Sequence, residues 1–159
     1  MGLLDGIKTA SGNANSNYLK GGRTVGRIMR VSARPFDHEA GPGFRVDLEV
    51  LKSDSPEHRP GDVVTATVGF KYKQDALANV RRILAACASA AQIGKGKDGI
   101  CTEAEAADRA EELVGAEQPL ADAIVTMIGF EKKNQKTGNP YTLYEALVPN
   151  DQDLDSLTA

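Results

Sequence analysis

The hydrophobic period of this chain changes twice, and that change limits the available architectures more than any other feature. Phe44, Val46, Leu48 and Val50 alternate with Arg45, Asp47 and Glu49, the period of two that a strand with one buried face requires. Residues 24–33 form a strand that puts Val25, Met29, Val31 and Ala33 on one face and Ile28, Arg30 and Ser32 on the other. Gly26 in that strand is placed for a bend or bulge. Residues 62–70 open on the β-branched run Val63-Val64-Thr65. From residue 75 to residue 91 the spacing lengthens to three and four. Leu77, Val80, Leu84, Cys87 and Ala91 make one helical stripe there, with Arg81 and Arg82 turned away from it. Thr102-Glu103-Ala104-Glu105 is a capping box, so a second short helix starts there and runs through Leu113 to Gly115. The period of two then returns in residues 120–131 and 140–147, joined by a hairpin loop over residues 132–139.

Three strands, two helices and two strands do not fit a doubly wound sheet, in which strands and helices alternate. The order predicts a mainly β chain, a β-barrel with α: a five-stranded OB-fold ordered β-β-β-α-α-β-β, with helix filling the gap between its third and fourth strands. At 159 residues the chain suits one domain. That domain is expected over residues 18–149. A loose, polar N-terminal arm (1–17) precedes it, and a solvated acidic tail (150–159) follows. The longest apolar runs are too short to span a bilayer, and the first residues lack the basic-then-apolar pattern of a secretory signal. Cys87 and Cys101 are the only cysteines. With no export signal they are expected as reduced thiols in the cytoplasm, and two thiols with two distant histidines do not make a structural zinc site. No metal or other cofactor is expected.

Net charge is −3, but its distribution is uneven. Residues 1–36 carry six basic groups against Asp5 alone, and residues 63–97 carry six against Asp75 alone. The compensating acids lie chiefly in residues 37–62, 98–118 and the tail. Local patches, rather than the mean, govern binding to a polyanion.

Asn17-Tyr18-Leu19-Lys20-Gly21-Gly22-Arg23 leads into the first strand, and Lys71-Tyr72-Lys73 follows the third. A basic hairpin flanked by aromatics spans residues 132–144, and an acidic tail closes the chain. In these features, over residues 17–159, the chain resembles the OB-fold single-stranded-DNA-binding proteins, most nearly the small ones encoded by bacteriophages. It departs from the bacterial housekeeping version in having no tryptophan, almost no linker before the tail and no Pro-Phe ending. The resemblance implies sequence-tolerant binding and protection of single-stranded DNA in phage replication or recombination, within the host cytoplasm. It also raises a homo-oligomer, and docking of replication or recombination proteins on the acidic tail.

Single-strand binders need cations for phosphates and flat rings for unstacked bases. The hairpin offers both: Lys132, Lys133 and Lys136 at its tip, Phe130, Tyr141 and Tyr144 at its base. Tyr141 and Tyr144 differ in parity, so one of them belongs to the core. Lys71, Tyr72 and Lys73 form a second candidate cluster, and Arg45, Arg27 and Arg30 project from the first two strands. The bland readings are a solubilising lysine tip, a helix-entry tyrosine and solvated strand arginines.

Catalytic readings find little support. His38 and His58 lie in acidic turns with no serine or cysteine in a nucleophile context. Gly94-Lys95-Gly96-Lys97-Asp98-Gly99 lacks the spacing of a phosphate loop and follows a helix rather than a strand. A non-enzymatic binder is therefore expected. The alternative is a protein-interaction module on the same barrel, acting as a phage accessory or host-modulating factor, which the acidic composition and the low aromatic content favour.

Overall fold

The computed structural model describes residues 18–34, 43–69, 73–133, 135–138, 140–155 and 157. Five strands among them form one antiparallel sheet: β1 (Gly22–Arg34), β2 (Gly43–Ser53), β3 (Val63–Gly69), β4 (Ile124–Lys133) and β5 (Pro140–Leu147). They are ordered β3-β2-β1-β4-β5. Between β3 and β4 lie α1 (Lys73–Ala90), α2 (Glu103–Asp108) and α3 (Ala110–Leu113); α4 (Asp151–Asp155) follows β5. The chain is mainly β, with helix where the period predicts it. No ladder joins β3 to β5 among the described residues, so the sheet is not closed. No helix among these residues is long and apolar enough to cross a membrane.

Phe44, Val46, Leu48 and Val50 are all buried, as their alternation predicts. β1 behaves differently, because its ladder with β2 shifts register at Val25/Gly26 and again at Ile28/Arg30. At Gly26 a Cβ would stand 3.1 Å from the Glu49 carbonyl and 3.2 Å from Leu48 Cβ, so the strands approach closely there. The second shift throws Met29 outward, 49% exposed, while Ile28 and Val31 stay in the core. The first shift inserts Leu51 in β2; the second inserts Met29 in β1 and moves that strand's alternation by one residue, which overturns the predicted common face of Val25, Met29, Val31 and Ala33.

β1 pairs with β4 only from Gly22 to Arg27. Past that point the turn before β4 completes its hydrogen bonds. Ile28 N donates to the Ala123 carbonyl at 2.8 Å, and Asp122 N donates to the Ile28 carbonyl at 2.7 Å. The Gln118 side chain then imitates a strand, accepting from Val31 N at 2.7 Å and donating to the Val31 carbonyl at 2.9 Å.

α1 buries Ala76, Ile83, Leu84, Ala85, Cys87 and Ala88 against the sheet. Its stripe therefore runs slightly off the predicted line, and Leu77 is left 43% exposed at the rim facing α2. Both cysteines are free and buried, and burial pushes the Cys87 thiol up to about 12. Thr102 caps α2 by accepting from Glu105 N. The Glu105 carboxylate does not return to close the box; it receives Lys95 N at 3.0 Å and Arg109 Nη1 at 2.5 Å.

The acidic end is not simply solvated. Asn150 and Asp153 cap each other, Asp153 N donating to Asn150 Oδ1 at 2.8 Å and Asn150 N to Asp153 Oδ2 at 3.0 Å. This starts α4, which lies over Val25 and Thr126 and buries Asp153. A reciprocal cap and a strand arginine together give Asp153 somewhere to go other than water, while Asp151 and Asp155 remain exposed.

Candidate nucleic-acid interface

β4 and β5 stay paired from Thr126↔Leu147 out to Lys133↔Pro140, whereas β1 leaves β4 at Gly22↔Gly129. Residues 130–133 therefore extend past β1 with β5 as their only strand partner among the described residues. On one face the register sets Phe130 opposite Leu143 and Lys132 opposite Tyr141. Their side chains project to solvent: Phe130 and Tyr141 are each 45% exposed and Leu143 is 43% exposed. Successive pairs on one face repeat about every 6.8 Å along an antiparallel strand. Two rings and an ammonium thus share a short ledge at the end of the sheet. Lys133 projects from the other face, opposite Pro140, and Lys136 is exposed in the turn. Lys132 and Lys133 make no ion pair among the described residues.

Tyr144 is the core member of the tyrosine pair. It stands opposite Gly129 on the inner face, is 5% exposed, and donates its hydroxyl to the Leu19 carbonyl at 2.5 Å. Burial pushes its phenol up to about 12. Tyr144 therefore leaves the set of residues on which a base can stack.

The strand arginines are partly committed. Arg27 reaches Glu49 at 3.4 Å, and Arg45 Nε donates to Asp47 at 2.9 Å. Arg30 is exposed and has no ion pair among the described residues. Lys71 and Tyr72 lie outside the described residues, as do His38 and the arm at 1–17. Lys73 is the first residue of α1.

The basic runs seen along the chain are neutralised in part across the fold. Arg81 and Arg82 approach Glu103, and Arg109 holds Glu105 and Glu112. Arg23 forks onto Asp153, Nε to Oδ1 at 2.8 Å and Nη2 to Oδ2 at 2.7 Å. That guanidinium holds the Asp153 carboxyl well below the usual carboxylate range, overcoming the opposing effect of its burial.

His58 has a structural part. Its Nε2 accepts from Lys20 N at 2.9 Å, and desolvation keeps the ring neutral by lowering its pKa. An acceptor nitrogen at that atom fixes the proton on Nδ1.

Two features carry no clear mark in the sequence. Leu143 belongs to the exposed ledge, but nothing except its register with Phe130 singles it out. Tyr18 and Lys20 pair on the surface, Lys20 Nζ sitting 3.5 Å from the centre of the Tyr18 ring; the turn formers around them give no sign of it. No protein-family model and no curated protein matches this chain.

Proposed function

We propose that the chain binds single-stranded DNA without strong sequence preference, on a five-stranded sheet of OB type, and performs no chemistry on it. The observation that carries this reading is the ledge of β4 and β5. Phe130 and Tyr141 are exposed in adjoining cross-strand pairs beside Lys132, on a hairpin that runs beyond the rest of the sheet. Exposed rings next to cations suit unstacked bases and their phosphates, each stacked base contributing about 1–3 kcal/mol. The strand order β3-β2-β1-β4-β5, helix between β3 and β4, and the approach of β3 to β5 support the OB reading. Replication or recombination of a bacteriophage, in the host cytoplasm, is the setting we infer.

The test is fluorescence anisotropy of a labelled single strand of roughly thirty nucleotides, titrated at two salt concentrations beside a duplex of equal length. Micromolar or tighter binding to the single strand, weak binding to the duplex and a steep salt dependence are expected. Each phosphate that a lysine neutralises adds about 0.7 to the slope of log K against log salt for a single strand. The double variant Lys132→Glu/Lys133→Glu should therefore flatten that slope by about 1.4. Equal affinity of variant and native protein would remove the hairpin from the interface, and no binding at low salt would end the reading.

A second reading, a protein-interaction module, is favoured by one feature: an apolar groove of about 410 Å³ between α1 and α2, lined by Leu77, Val80, Leu84, Ala106 and Ala110. It gains if the anisotropy stays flat.

A further inference from the structure

The three residues Tyr18-Leu19-Lys20 are not part of any strand ladder, yet their backbone is held from four sides. Leu19 N donates to the Thr65 carbonyl of β3 at 2.8 Å, and the Leu19 carbonyl accepts the Tyr144 hydroxyl of β5. Lys20 N is bound by His58. The Lys20 carbonyl lies so close to β4 that a Cβ on Gly129 would stand 2.7 Å from it. The segment is thus a strap across the seam between the two edge strands, and the Leu19 side chain is fully buried beneath it. Tyr18 is different. Its ring is outside the core, 39% exposed, with the Lys20 ammonium seated over it.

The strap positions that ring at the end of a row. Tyr18 bridges to Thr65, Thr65 stands opposite Asp47, and Asp47 stands opposite Arg30. Neighbouring strands are about 4.8 Å apart, so the row crosses roughly 14 Å of sheet. Asp47 within it is already occupied, accepting from Thr65 Oγ1 at 2.7 Å and Arg45 Nε at 2.9 Å. The row therefore runs from an aromatic–ammonium pair at the β3 edge to an arginine on β1 that has no ion pair among the described residues. The strap also lies over Gly129, on the face of β4 opposite Phe130 and Lys132. Glu131, close to the strap, is turned to Gly21 N at 3.3 Å.

We propose that Tyr18 and Lys20 form a second binding point for the same single strand, on the far side of the hairpin from Phe130 and Tyr141. This rests on the DNA-binding reading and adds a place to it. Lys20 leaves the ring for a phosphate, and a base takes the ring face that it vacates. An exposed cation–π interaction is weaker than a base stack, so the exchange is favourable. Because the strap is pinned before binding, little ordering accompanies the step.

The experiment uses the full chain, which has no tryptophan, with single variants Tyr18→Trp and Tyr141→Trp, each titrated with a thirty-nucleotide oligothymidine. Quenching of both tryptophans with the same end point is expected. Tyr18→Ala should weaken binding about tenfold or more, and Tyr18→Phe should bind as the native protein does. Thermal unfolding of each variant separates weakened binding from a weakened fold. Quenching at Tyr141→Trp alone would overturn the strap site and leave the hairpin standing. If neither is quenched and anisotropy shows no complex, the DNA-binding reading itself fails.

Discussion

Replacing Asp153 with alanine removes the acceptor on which four donor groups converge. Arg23 Nε and Nη2 lie at 2.8 and 2.7 Å, Thr126 Oγ1 at 2.9 Å and Asn150 N at 3.0 Å. Breaking a fully buried ion pair costs about 3–5 kcal/mol, most of it from the charge left unpaired. Here the aspartate side chain is 5% exposed and the arginine side chain 37% exposed, so the abandoned guanidinium can rehydrate. That places the ion-pair loss near about 2 kcal/mol, and the unpaired Thr126 hydroxyl adds about 1 kcal/mol. A total of about 3 kcal/mol is a large part of the roughly 5–15 kcal/mol that holds a domain folded. At about 2–4 °C per kcal/mol for this chain length, Tm should fall by about 6–12 °C.

Acid supplies an independent measure of the same clamp. The folded-state pKa of Asp153 is lowered from 3.8, so its contribution is fully present above the unfolded value. It is lost as pH falls from there toward the folded value. Urea unfolding followed by far-UV circular dichroism between pH 7 and pH 2 should give a steep acid limb in the native protein. The limb should be shallower in Asp153→Asn, which has no carboxyl to protonate. A stability loss in Asp153→Ala below about 0.5 kcal/mol, the scale of a neutral surface change, with an unaltered acid limb in Asp153→Asn, refutes a docked α4.

Two further outcomes follow from single side chains. His58 is held neutral by desolvation, against the opposing pull of Asp62 and Glu57 and with a smaller push from Lys20. Its folded pKa lies below 6.5, so its contribution is present above that value and declines as pH drops through it. Denaturant midpoints at pH 7.5 and pH 5.5 should show this decline, and His58→Gln should flatten it; an identical slope in the variant sinks the assignment. Gln118→Ala leaves Val31 N and its carbonyl without their partner, and each unmet buried group costs about 1–3 kcal/mol. Chemical denaturation should register a loss of about 2–4 kcal/mol; a loss under about 1 kcal/mol would mean that water replaces the amide.

The regular parts of this fold were legible because local sequence and tertiary environment agree there. β2 alternates cleanly, β5 runs over the residues its pattern marks out, and Thr102 caps its helix by side chain. β1 was legible as a strand but not as a surface. The bulge at Met29 separates its register from its parity, and a parity argument has no means of locating an inserted residue. The outer face at Val25 and Thr126 was unreadable for another reason. α4 covers it, and the aspartates of that helix carry no local signal of a partner 130 residues earlier in the chain. The hairpin is marked in the sequence by its lysines and aromatics, but only the register with β4 distinguishes the inward Tyr144 from the outward Tyr141.

Charge shows most clearly how chain order and surface differ. Residues 1–36 and 63–97 each hold an excess of cations in sequence, yet antiparallel pairing brings Arg27 to Glu49, and the docking of helices brings Arg81 to Glu103 and Arg23 to Asp153. Each pairing crosses at least 22 positions, so no short window along the chain could have shown it. Folding thus pairs some of these cations with distant acids and leaves others, Lys132 and Lys20 among them, without an ion pair among the described residues. Lys132 stands opposite Tyr141, and Lys20 lies over Tyr18. In both places the uncompensated charge is beside an exposed ring. Those are the two points at which the single strand of the proposed function would meet a ring and a cation together.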